Sequence, residues 1–406
     1  MTGARHRVCV VTGSRAEYGL LAPVLDEAAR RAALDVRLLV TGTHLSRRHG
    51  LTEREILADG RRIDARVDLD LADDSRAGVA RALGRAVTGL ADALARIEPE
   101  VVVLLGDRWE ILAAAQAALV LRIPVAHVHG GEVTTGAFDD AIRHAVTKMS
   151  HLHFVAAPEY GRRVVQMGED PARVVVTGAL GVDLARATPE VPRDRLAAEL
   201  GVALGTPLLC LTHHPTTLGD GAPAREIAEV LAAVEAVEAA HPGTTTVCTG
   251  SNADPSGREV EDAVRAWVAA APARRAFRAS LGRARYAALV RHADAVVGNS
   301  SSGIIEAPSL GTPTVNVGPR QDGRLRAASV RDAACERASV AAAIEAAIAG
   351  GRRAEWPSPY DCGGGAAARI VDVLERWLRD GALRGARKEF RDATAATTGP
   401  AAGATR

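Results

Sequence analysis

The sequence has little of what marks a membrane protein or a nucleic-acid-binding protein. No run approaches the roughly 18 consecutive apolar residues that a membrane-spanning helix needs, and the apolar stretch near the N-terminus is too short for a secretory signal. The 50 Lys and Arg residues are balanced by 49 Asp and Glu, so no basic field attracts nucleic acid or an anionic membrane. We therefore expect a cytoplasmic protein that binds neither nucleic acid nor membrane.

Cysteine and lysine are also scarce. The five cysteines are scattered without a CxxC motif, and three of them lie in apolar runs. This pattern is typical of free, buried thiols and does not favour a metal or catalytic role for cysteine. Lysine occurs only at positions 148 and 388, and together with the richness in alanine and glycine this indicates base composition and not function.

What the sequence does contain is a regular alternation of short apolar runs and amphipathic segments. The length of 406 residues favours two domains. Nine continuous apolar runs are typical of strands buried on both faces of a parallel sheet, and helical periodicity fills the intervals. The nine apolar runs are residues 7–11, 36–41, 101–105, 124–128, 174–177, 207–211, 245–249, 294–297 and 313–317. The sequence therefore predicts an α/β fold with two Rossmann-like, doubly wound parallel-sheet domains.

The domain boundaries follow from a change in composition. A first domain is predicted over residues 1–183 and a second over 184–365, because residues after 183 are rich in proline and charge. An amphipathic helix follows, and the segment 366–384 is expected to pack back on the first domain. Residues 385–406 lack apolar periodicity and are predicted to be a disordered tail.

Polar residues follow the apolar runs of the first half, where ligands bind to parallel α/β sheets. The first run leads into a glycine turn with Arg15, and the second into a turn with His44. Each is a weak signal by itself, and an ordinary strand–helix turn explains it equally well. Asp107 and Arg108 follow the run 101–105. The alternative interpretation of these two residues is a structural ion pair, because buried charges need partners.

A denser cluster follows the run 124–128. It combines histidines, carboxylates and an arginine within sixteen residues: His129, Glu132, Asp139, Asp140, Arg143 and His144. A helix over 137–150 would place Asp139 and Arg143 on one face. A solvated charged surface is the alternative, but it fits poorly with a mixed cluster that begins directly after a buried strand. The cluster therefore indicates a functional site.

The second half adds complementary groups at its own strand ends. His214, Asn252 and the turn Gly298–Gly303 follow three of its apolar runs, and Glu306 stands near the start of the next helix. A turn rich in serine and glycine that opens a helix suits a diphosphate. N-capping explains one such serine but not three. Arg320 and Arg324 add cations beyond the last run.

A metal site is a weaker possibility. His127 and His129 alternate along one run, and His151 and His153 along another stretch. The nearby residues do not give a recognisable ligand spacing, and no Cys–His combination is present. We therefore predict no metal.

In this order, the motifs resemble those of the hydrolysing UDP-N-acetylglucosamine 2-epimerases of the sialic-acid or nonulosonic-acid type. The resemblance extends from about Val8 to Leu383. The motifs are TGSRAEYGLL (12–21), TGTHLS (41–46), LGDR (105–108), HGGE (129–132), GAFDDAIRH (136–144), TKMSHLHF (147–154), HP (214–215), GNSSSG (298–303) and RQDGR (320–324).

The resemblance implies a GT-B type architecture that binds a UDP-sugar in the cleft between its domains, with UDP mainly on the second. It implies release of UDP and N-acetylmannosamine from UDP-N-acetylglucosamine, by elimination to a glycal and addition of water. It implies no cofactor and a homodimer. Catalytic roles are implied for Asp107, His129, Glu132, Asp139, Arg143 and His214. UDP or substrate contacts are implied for Arg15, His44, Arg108, Asn252, Ser300, Ser301, Gly303 and Glu306.

Two positions depart from relatives of this type. Several relatives have Glu where this chain has His129, so either His129 or Glu132 is a candidate for the base that takes the C2 proton. Some relatives have a lysine in the first helix, where this chain has Leu20 and Ala22. Both departures raise the alternative of a UDP-2,4-diacetamido-trideoxyhexose, a precursor of a legionaminic-type acid, as the substrate.

Two other functions remain as alternatives. A GT-B glycosyltransferase would transfer the sugar to an acceptor, but it needs one base and not four adjacent titratable groups. A nucleotide-sugar sensor without activity would have lost the carboxylates and kept the phosphate turn, whereas both are present here.

Overall fold

The computed structural model describes residues 5–73, 75–135, 138–216, 223–251, 257–385 and 387–392. They form two α/β domains, each built on a parallel sheet. The first sheet has seven strands in the order β3-β2-β1-β4-β5-β6-β7. Their bounds are β1 (His6–Thr12), β2 (Leu34–Thr41), β3 (Ala65–Val67), β4 (Val101–Leu105), β5 (Val125–Val128), β6 (Leu152–Val155) and β7 (Val174–Val176).

The second sheet repeats the same topology with six strands, in the order β10-β9-β8-β11-β12-β13. Their bounds are β8 (Leu208–Thr212), β9 (Thr245–Thr249), β10 (Arg275–Arg278), β11 (Ala295–Gly298), β12 (Thr314–Val317) and β13 (Val330–Ala333). The prediction of two Rossmann-like parallel-sheet domains is therefore confirmed.

Helices cover both faces of each sheet. In the first half they are α1 (Arg15–Ala29), α2 (Glu53–Ala58), α3 (Arg76–Ile97), α4 (Trp109–Val120), α5 (Asp139–Met149), α6 (Pro158–Gln166) and α7 (Leu180–Ala187). In the second half they are α8 (Arg193–Leu200), α9 (Pro223–Ala240), α10 (Gly257–Ala269), α11 (Gly282–His292), α12 (Ser301–Ile305), α13 (Arg337–Gly350) and α14 (Ala366–Arg379). Short 3₁₀ turns lie at Gly42–Leu45, Arg47–His49, Pro171–Arg173, Ala307–Leu310 and Pro319–Gln321.

All nine apolar runs are strands, and the strands without such a run are β3, β6, β10 and β13. Three of these four lie at a sheet edge, where one side of the strand needs no continuous apolar sequence. Apart from β6, the interior strands show the opposite pattern. All five residues of β4 are buried, and β4 pairs in parallel with both β1 and β5.

The C-terminal helix packs on the first domain. Ile370, Val371 and Leu374 of α14 are buried in one core with Val8 of β1 and Leu21 of α1. This explains the amphipathic sequence of α14, whose apolar stripe faces that core. The first described helix, α1, and the last, α14, therefore pack on the same domain.

Residues 387–392 also contact the first domain, although they lie in the segment predicted to be disordered. Lys388 pairs with the buried Glu169, and Arg391 N donates to Gly168 O over 3.0 Å. Lys148 pairs with Glu169 as well, at 2.6 Å. Composition alone does not reveal this ion cluster, because its partners are distant in sequence. Residue 386 and residues 393–406 of the predicted tail lie outside the described residues.

The two domains meet in a small apolar cluster beneath the cleft. It contains Val155 and Tyr160 from the first domain, Ile304 and Ile305 from the second, and Tyr360 from the connection to α14. The strand order reverses between β1 and β4 in the first sheet and between β8 and β11 in the second, and such reversals are where α/β sheets form a crevice for ligands. Within the described ranges, no helix combines the length and the apolar character that crossing a bilayer requires.

Candidate functional site

A cleft of about 660 Å³ lies between the two domains, at the carboxyl ends of their strands. The first domain contributes residues that follow β1, β4 and β5, and the second contributes residues that follow β8, β9, β11 and β12. Most of the predicted site residues line the cleft: Arg15, Asp107, Arg108, Asp139, Arg143, His214, Ser300, Ser301 and Glu306. Motifs from both halves of the sequence therefore meet at one cleft.

The centre of the first-domain wall is an ion pair between Asp107 and Arg143. Asp107 follows β4, and Arg143 lies on α5 with only 1% of its side chain exposed. Burial opposes ionisation of Asp107, but the charges of Arg143 and Arg324 outweigh it, so the pKa of Asp107 lies below its usual value. Asp107 is therefore a carboxylate at neutral pH.

Arg143 also orders the loop before α5. Its Nη1 donates to Glu132 O at 2.9 Å and to Asp140 Oδ1 at 3.2 Å, and its Nη2 donates to Thr134 Oγ1 at 3.0 Å. The guanidinium thus uses several of its donors within the protein. Arg143 is positioned to hold Asp107 and the loop, and it is one of the residues that line the cleft.

His129 stands behind this wall and does not line the cleft. Its Nε2 accepts a hydrogen bond from Leu180 N at 3.3 Å, which places the proton of the neutral ring on Nδ1. Nδ1 lies 3.9 Å from Glu132 Oε1. Burial lowers the pKa of His129. A ring nitrogen that already accepts a hydrogen bond is poorly arranged to take a proton from a substrate.

Glu132 is buried as well, with 2% of its side chain exposed, and lies 2.6 Å from Arg324 Nη1 of the second domain. A neighbouring contact crosses the same cleft, because Arg320 Nη2 lies 3.9 Å from Asp139 Oδ2. Both arginines line the cleft, whereas Glu132 does not. Each of these first-domain carboxylates therefore faces an arginine supplied by the other domain.

The opposite wall carries hydroxyl groups. Ser300 lies directly before α12 and Ser301 is the first residue of that helix, and Tyr286 on α11 hydrogen-bonds with Ser302. Gly303 does not reach the cleft. A Cβ added at Gly303 would lie 2.8 Å from Thr314 Cγ2, so this glycine permits α12 to pack against β12.

Glu306 lines the same wall just after α12. Burial raises the pKa of its carboxyl group to about 7. A Cβ added at Gly181 of α7 would lie 2.8 Å from Glu306 Oε1, which shows how closely the first domain approaches. Glu306 is thus held at the boundary of the two domains in a state that ionises near neutral pH.

His214 is fixed through its backbone. Its N–H donates to Asn299 Oδ1 at 2.7 Å, and its carbonyl oxygen accepts from Asn299 Nδ2 at 2.8 Å. Burial first, and the charge of Arg320 second, hold the pKa of His214 well below its usual value. His214 is therefore a neutral ring in the cleft at pH 7.

Arg15 and Arg108 line the cleft beside two buried acids. Arg108 Nε donates to Glu110 Oε1 at 3.0 Å. Glu17 Oε2 accepts from Gly13 N at 2.7 Å. Burial and the charge of Glu110 raise the pKa of Glu17 to about 8. Glu17 is therefore largely protonated at pH 7, although it lies near two arginines.

His44 does not line the cleft. It is fully buried, and its ring nitrogens lie 3.1 Å from Thr12 Oγ1 and 2.9 Å from Thr52 Oγ1. These contacts join the end of β1 to the segment that follows β2. Asn252 lies outside the described residues.

The paired histidines considered as metal ligands are used elsewhere. His127 Nε2 contacts Gly106 O at 2.8 Å, and His153 Nε2 contacts Glu169 Oε2 at 3.0 Å. Among the residues that the structure describes, no group of three or more His, Cys, Asp or Glu side chains is arranged to hold a metal ion.

Several cleft residues had not been singled out from the sequence. Glu17 stands in the pattern Ser14-Arg-Ala-Glu17, which is a helix capping box, and this is a structural signal. The stretch from Ser280 to Arg283 and Tyr286 also line the cleft. Arg283 carries a charge, but no motif distinguishes this stretch, because it reaches the cleft through the packing of α11.

A known protein family matches most of this chain. The family model described as UDP-N-acetylglucosamine 2-epimerase matches residues 26–375. The crystal structure of UDP-GlcNAc 2-epimerase from Neisseria meningitidis bound to UDP-GlcNAc superposes with a TM-score of 0.74 at 17% identity, covering 91% of this chain and 100% of that one. At this identity the likeness shows the shared fold.

Two curated relatives are more similar in sequence. The GDP/UDP-N,N'-diacetylbacillosamine 2-epimerase (hydrolyzing) of Campylobacter jejuni is 34% identical over 81% of this chain and 84% of its own length. The UDP-N,N'-diacetylbacillosamine 2-epimerase (hydrolyzing) of Legionella pneumophila is 34% identical over 80% of this chain and 85% of its own. The family match and these relatives together show that the chain belongs to the UDP-N-acetylglucosamine 2-epimerase family.

Proposed function

We propose that this chain is a hydrolysing 2-epimerase of a UDP-linked 2-acetamido sugar, which converts UDP-N-acetylglucosamine and water to N-acetylmannosamine and UDP. The observation that carries the proposal is the composition of the cleft. Its first-domain wall presents Asp107 and Asp139, and its second-domain wall presents the serine turn and Glu306. Acid–base groups on one wall and nucleotide-binding groups on the other suit a reaction that breaks the bond between the sugar and the nucleotide.

The chemistry proceeds in two steps. A base removes the proton at sugar C2, a double bond forms between C1 and C2, and the C1–O bond breaks so that its electron pair leaves with UDP. Water then adds across the double bond, with its oxygen to C1 and a proton to C2 on the opposite face. General acid–base groups each contribute roughly 10²- to 10⁴-fold to such steps.

We assign the proton transfers to Asp107 and Asp139. Both line the cleft, and Asp107 is kept ionised by its arginine neighbours. Arg143 positions Asp107, and His214 contacts the diphosphate or sugar as a neutral hydrogen-bonding group. His129 and Glu132 support this wall from behind.

The leaving diphosphate requires compensation of its charge. We assign this role to Arg15, Arg108 and Arg320, together with the hydroxyl groups of Ser300 and Ser301. Glu306 accepts hydrogen bonds from the ribose hydroxyls when it is ionised. UDP thus rests mainly on the second domain and the sugar on the first, with the domains divided near residue 183.

A second substrate is favoured by the relatives. The two that are 34% identical are named for N,N'-diacetylbacillosamine, whereas the relative from Neisseria meningitidis named for UDP-N-acetylglucosamine is 28% identical. The same residues would perform the same chemistry on a UDP-2,4-diacetamido-trideoxyhexose. The two candidates differ only at C4 and C6 of the sugar.

The test is incubation with each UDP-sugar in D₂O, followed by NMR. We expect free UDP, the free 2-epimer and one deuterium at C2. Turnover of the diacetamido sugar alone would assign the second substrate. Product without deuterium at C2 would contradict elimination and addition, and would favour simple hydrolysis or a glycosyltransferase.

We further propose a homodimer that works in the cytoplasm, where nucleotide sugars are made. The exposed apolar residues Leu119 and Val120 at the end of α4 are 49% and 82% exposed and favour self-association through this surface. Size-exclusion chromatography with light scattering tests this, and the Val120→Glu variant should run as a monomer.

A further inference from the structure

One segment of the second domain crosses to the first. Residues 320–325, called here the crossing segment, follow β12 and lie against the loop 132–135. Thr135 N donates to Asp322 O at 3.1 Å. Gly323 has a φ of +90°, and a Cβ added there would lie 2.3 Å from Val133 Cγ1. The contact is thus close enough that only glycine fits at this position.

The crossing segment carries Arg324 into a buried ion pair. Arg324 Nη1 and Glu132 Oε2 are 2.6 Å apart, and the two side chains are 8% and 2% exposed. A charge removed from water to this extent is stable only with its partner. Because the partners belong to different domains, this pair depends on the closed arrangement of the cleft.

A pair of tyrosines fixes the backbone next to Arg324. Leu325 N donates to Tyr160 Oη at 3.1 Å, and the Tyr360 hydroxyl donates to Leu325 O at 2.9 Å. The two tyrosine hydroxyls are 2.8 Å apart. Both polar groups of the Leu325 backbone are therefore satisfied by buried side chains, which limits the positions that Arg324 can take.

We propose that Glu132 and Arg324 form a latch that holds the cleft closed, and that Glu132 is a positioning residue for Arg324 and not the base that takes the C2 proton. Arg324 lines the cleft and Glu132 does not. The carboxylate of Glu132 faces Arg324 on one side and His129 Nδ1 on the other. This inference rests on the proposed function, since it assigns a role within that reaction.

The latch also bears on Asp107. The charge of Arg324 is, after that of Arg143, the second contribution that keeps the pKa of Asp107 below its usual value. When the latch opens, Asp107 loses one of its cations. Closure therefore couples binding of the UDP-sugar to the ionised state of a proposed catalytic carboxylate.

A double-mutant cycle tests the latch. We compare Glu132→Gln, Arg324→Gln and the double variant, with Arg331→Gln as the matched control, because Arg331 is an exposed residue on β13 of the same domain. Each single variant should raise KM by roughly 10²-fold, as expected when one partner of a buried pair is removed. The KM of the double variant should be no higher than that of the more impaired single variant, since the double variant leaves no unpaired charge.

The isotope result separates positioning from proton abstraction. In D₂O, product formed by Glu132→Gln should still carry deuterium at C2, and its kcat should fall much less than its KM rises. Loss of both turnover and C2 exchange in Glu132→Gln, with activity kept in Arg324→Gln, would make Glu132 the base and overturn the proposal. Arg324→Lys retains a cation, so its KM should lie between those of the wild type and Arg324→Gln. This variant keeps the test valid if a glutamine variant folds poorly.

A structural readout is independent of the substrate. Small-angle X-ray scattering with saturating UDP should give the wild type and the Arg331→Gln variant a smaller radius of gyration than Glu132→Gln and Arg324→Gln. Equal radii for all four proteins would refute the latch even if the enzyme is an epimerase. Smaller radii for the first two would support the latch even if neither UDP-sugar is turned over, which would refute only the proposed function.

Discussion

Asp107 and Arg143 form an ion pair that joins the end of β4 to α5 across the first-domain wall of the cleft. The pair has the appearance of an ordinary structural contact, but Asp107 also faces Arg324 and Arg320 from the second domain. A carboxylate surrounded by three cations is held ionised in a place where a sugar can reach it. This arrangement keeps Asp107 charged at the cleft, and we propose that its carboxylate takes part in the proton transfers.

Asp107→Asn should therefore abolish most activity without unfolding the protein. The amide keeps the size and a hydrogen-bonding oxygen but removes the charge, so turnover should fall by roughly 10²-fold or more. The control is Asp64→Asn. Asp64 lies 3.0 Å from Arg37, away from the cleft, so its variant should lose thermal stability with little change in rate. The reverse pattern would make Asp107 a structural residue.

His129→Asn should keep deuterium exchange at C2. The Nε2 atom of His129 already accepts from Leu180 N, so this ring is not arranged as the base. Asparagine suits the position because His129 has a φ of +65°, a conformation that asparagine tolerates better than most residues. Activity should fall less than in Asp107→Asn. Complete loss of C2 exchange in a folded His129→Asn variant would identify His129 as the base.

UDP binding should depend on the second-domain wall. Ser301→Ala and Glu306→Ala should each weaken UDP affinity, measured by calorimetry, because they remove groups that we assign to binding of the diphosphate and the ribose. If both variants bind UDP normally and only slow the reaction, the assignment of UDP to the second domain is wrong.

The same wall predicts a pH dependence. Burial raises the pKa of the Glu306 carboxyl group to about 7, and only in its ionised form are both carboxyl oxygens acceptors for the two ribose hydroxyls. UDP affinity should therefore rise as pH increases from 6 to 8. Glu306→Gln should flatten that part of the profile, whereas Ser301→Ala should lower affinity at every pH and keep the slope.

The sequence predicted the strands and their ends well because a strand buried on both faces requires a continuous apolar run. It therefore also located Asp107 and the serine turn, which follow β4 and β11. Edge strands such as β3 and β13 lack that requirement and were missed. The turn with His44 resembles a ligand-binding turn, but the His44 ring contacts residues inside the first domain and does not line the cleft.

Contacts between the domains could not be predicted from the sequence. Glu132 and Arg324 are both recognisable as charged residues near strand ends, but their pairing depends on how the two domains are oriented. The tautomer of His129 could not be predicted from the sequence either, because Leu180 N reaches the ring only through the packing of α7. The sequence thus predicts which residues gather at the cleft, and the three-dimensional structure shows which of them face it.

Activity should survive removal of divalent metal. Elimination from C1 and addition of water need a base, an acid and cations for the diphosphate, and we assign the cations to arginines of the cleft. Exhaustive dialysis against EDTA should leave kcat unchanged, with a parallel sample that receives Mg²⁺ as the control. Loss of activity that Mg²⁺ restores would show that a metal takes part.

Glu17 offers a test of the buried acids next to the cleft. Burial, followed by the charge of Glu110, raises the pKa of Glu17 to about 8, so its carboxyl group is largely protonated at pH 7 and Glu17→Gln is a close mimic. We expect activity at pH 7 within a few-fold of the wild type. Glu17→Ala removes the capping box and should cost about 1 kcal/mol of stability.

The sign of the pH effect on stability follows from the raised pKa. Glu17 holds its proton more tightly in the folded protein than in the unfolded chain, so its contribution to the stability of the fold is fully present below its ordinary pKa. It is lost as pH rises through about 8. Thermal unfolding of wild type and Glu17→Gln between pH 5 and 9 should therefore show the variant gaining stability relative to the wild type as pH rises. A difference in melting temperature that is constant with pH would mean that Glu17 is ionised throughout, and that its hydrogen bonds to Gly13 and Ser14 outweigh its burial.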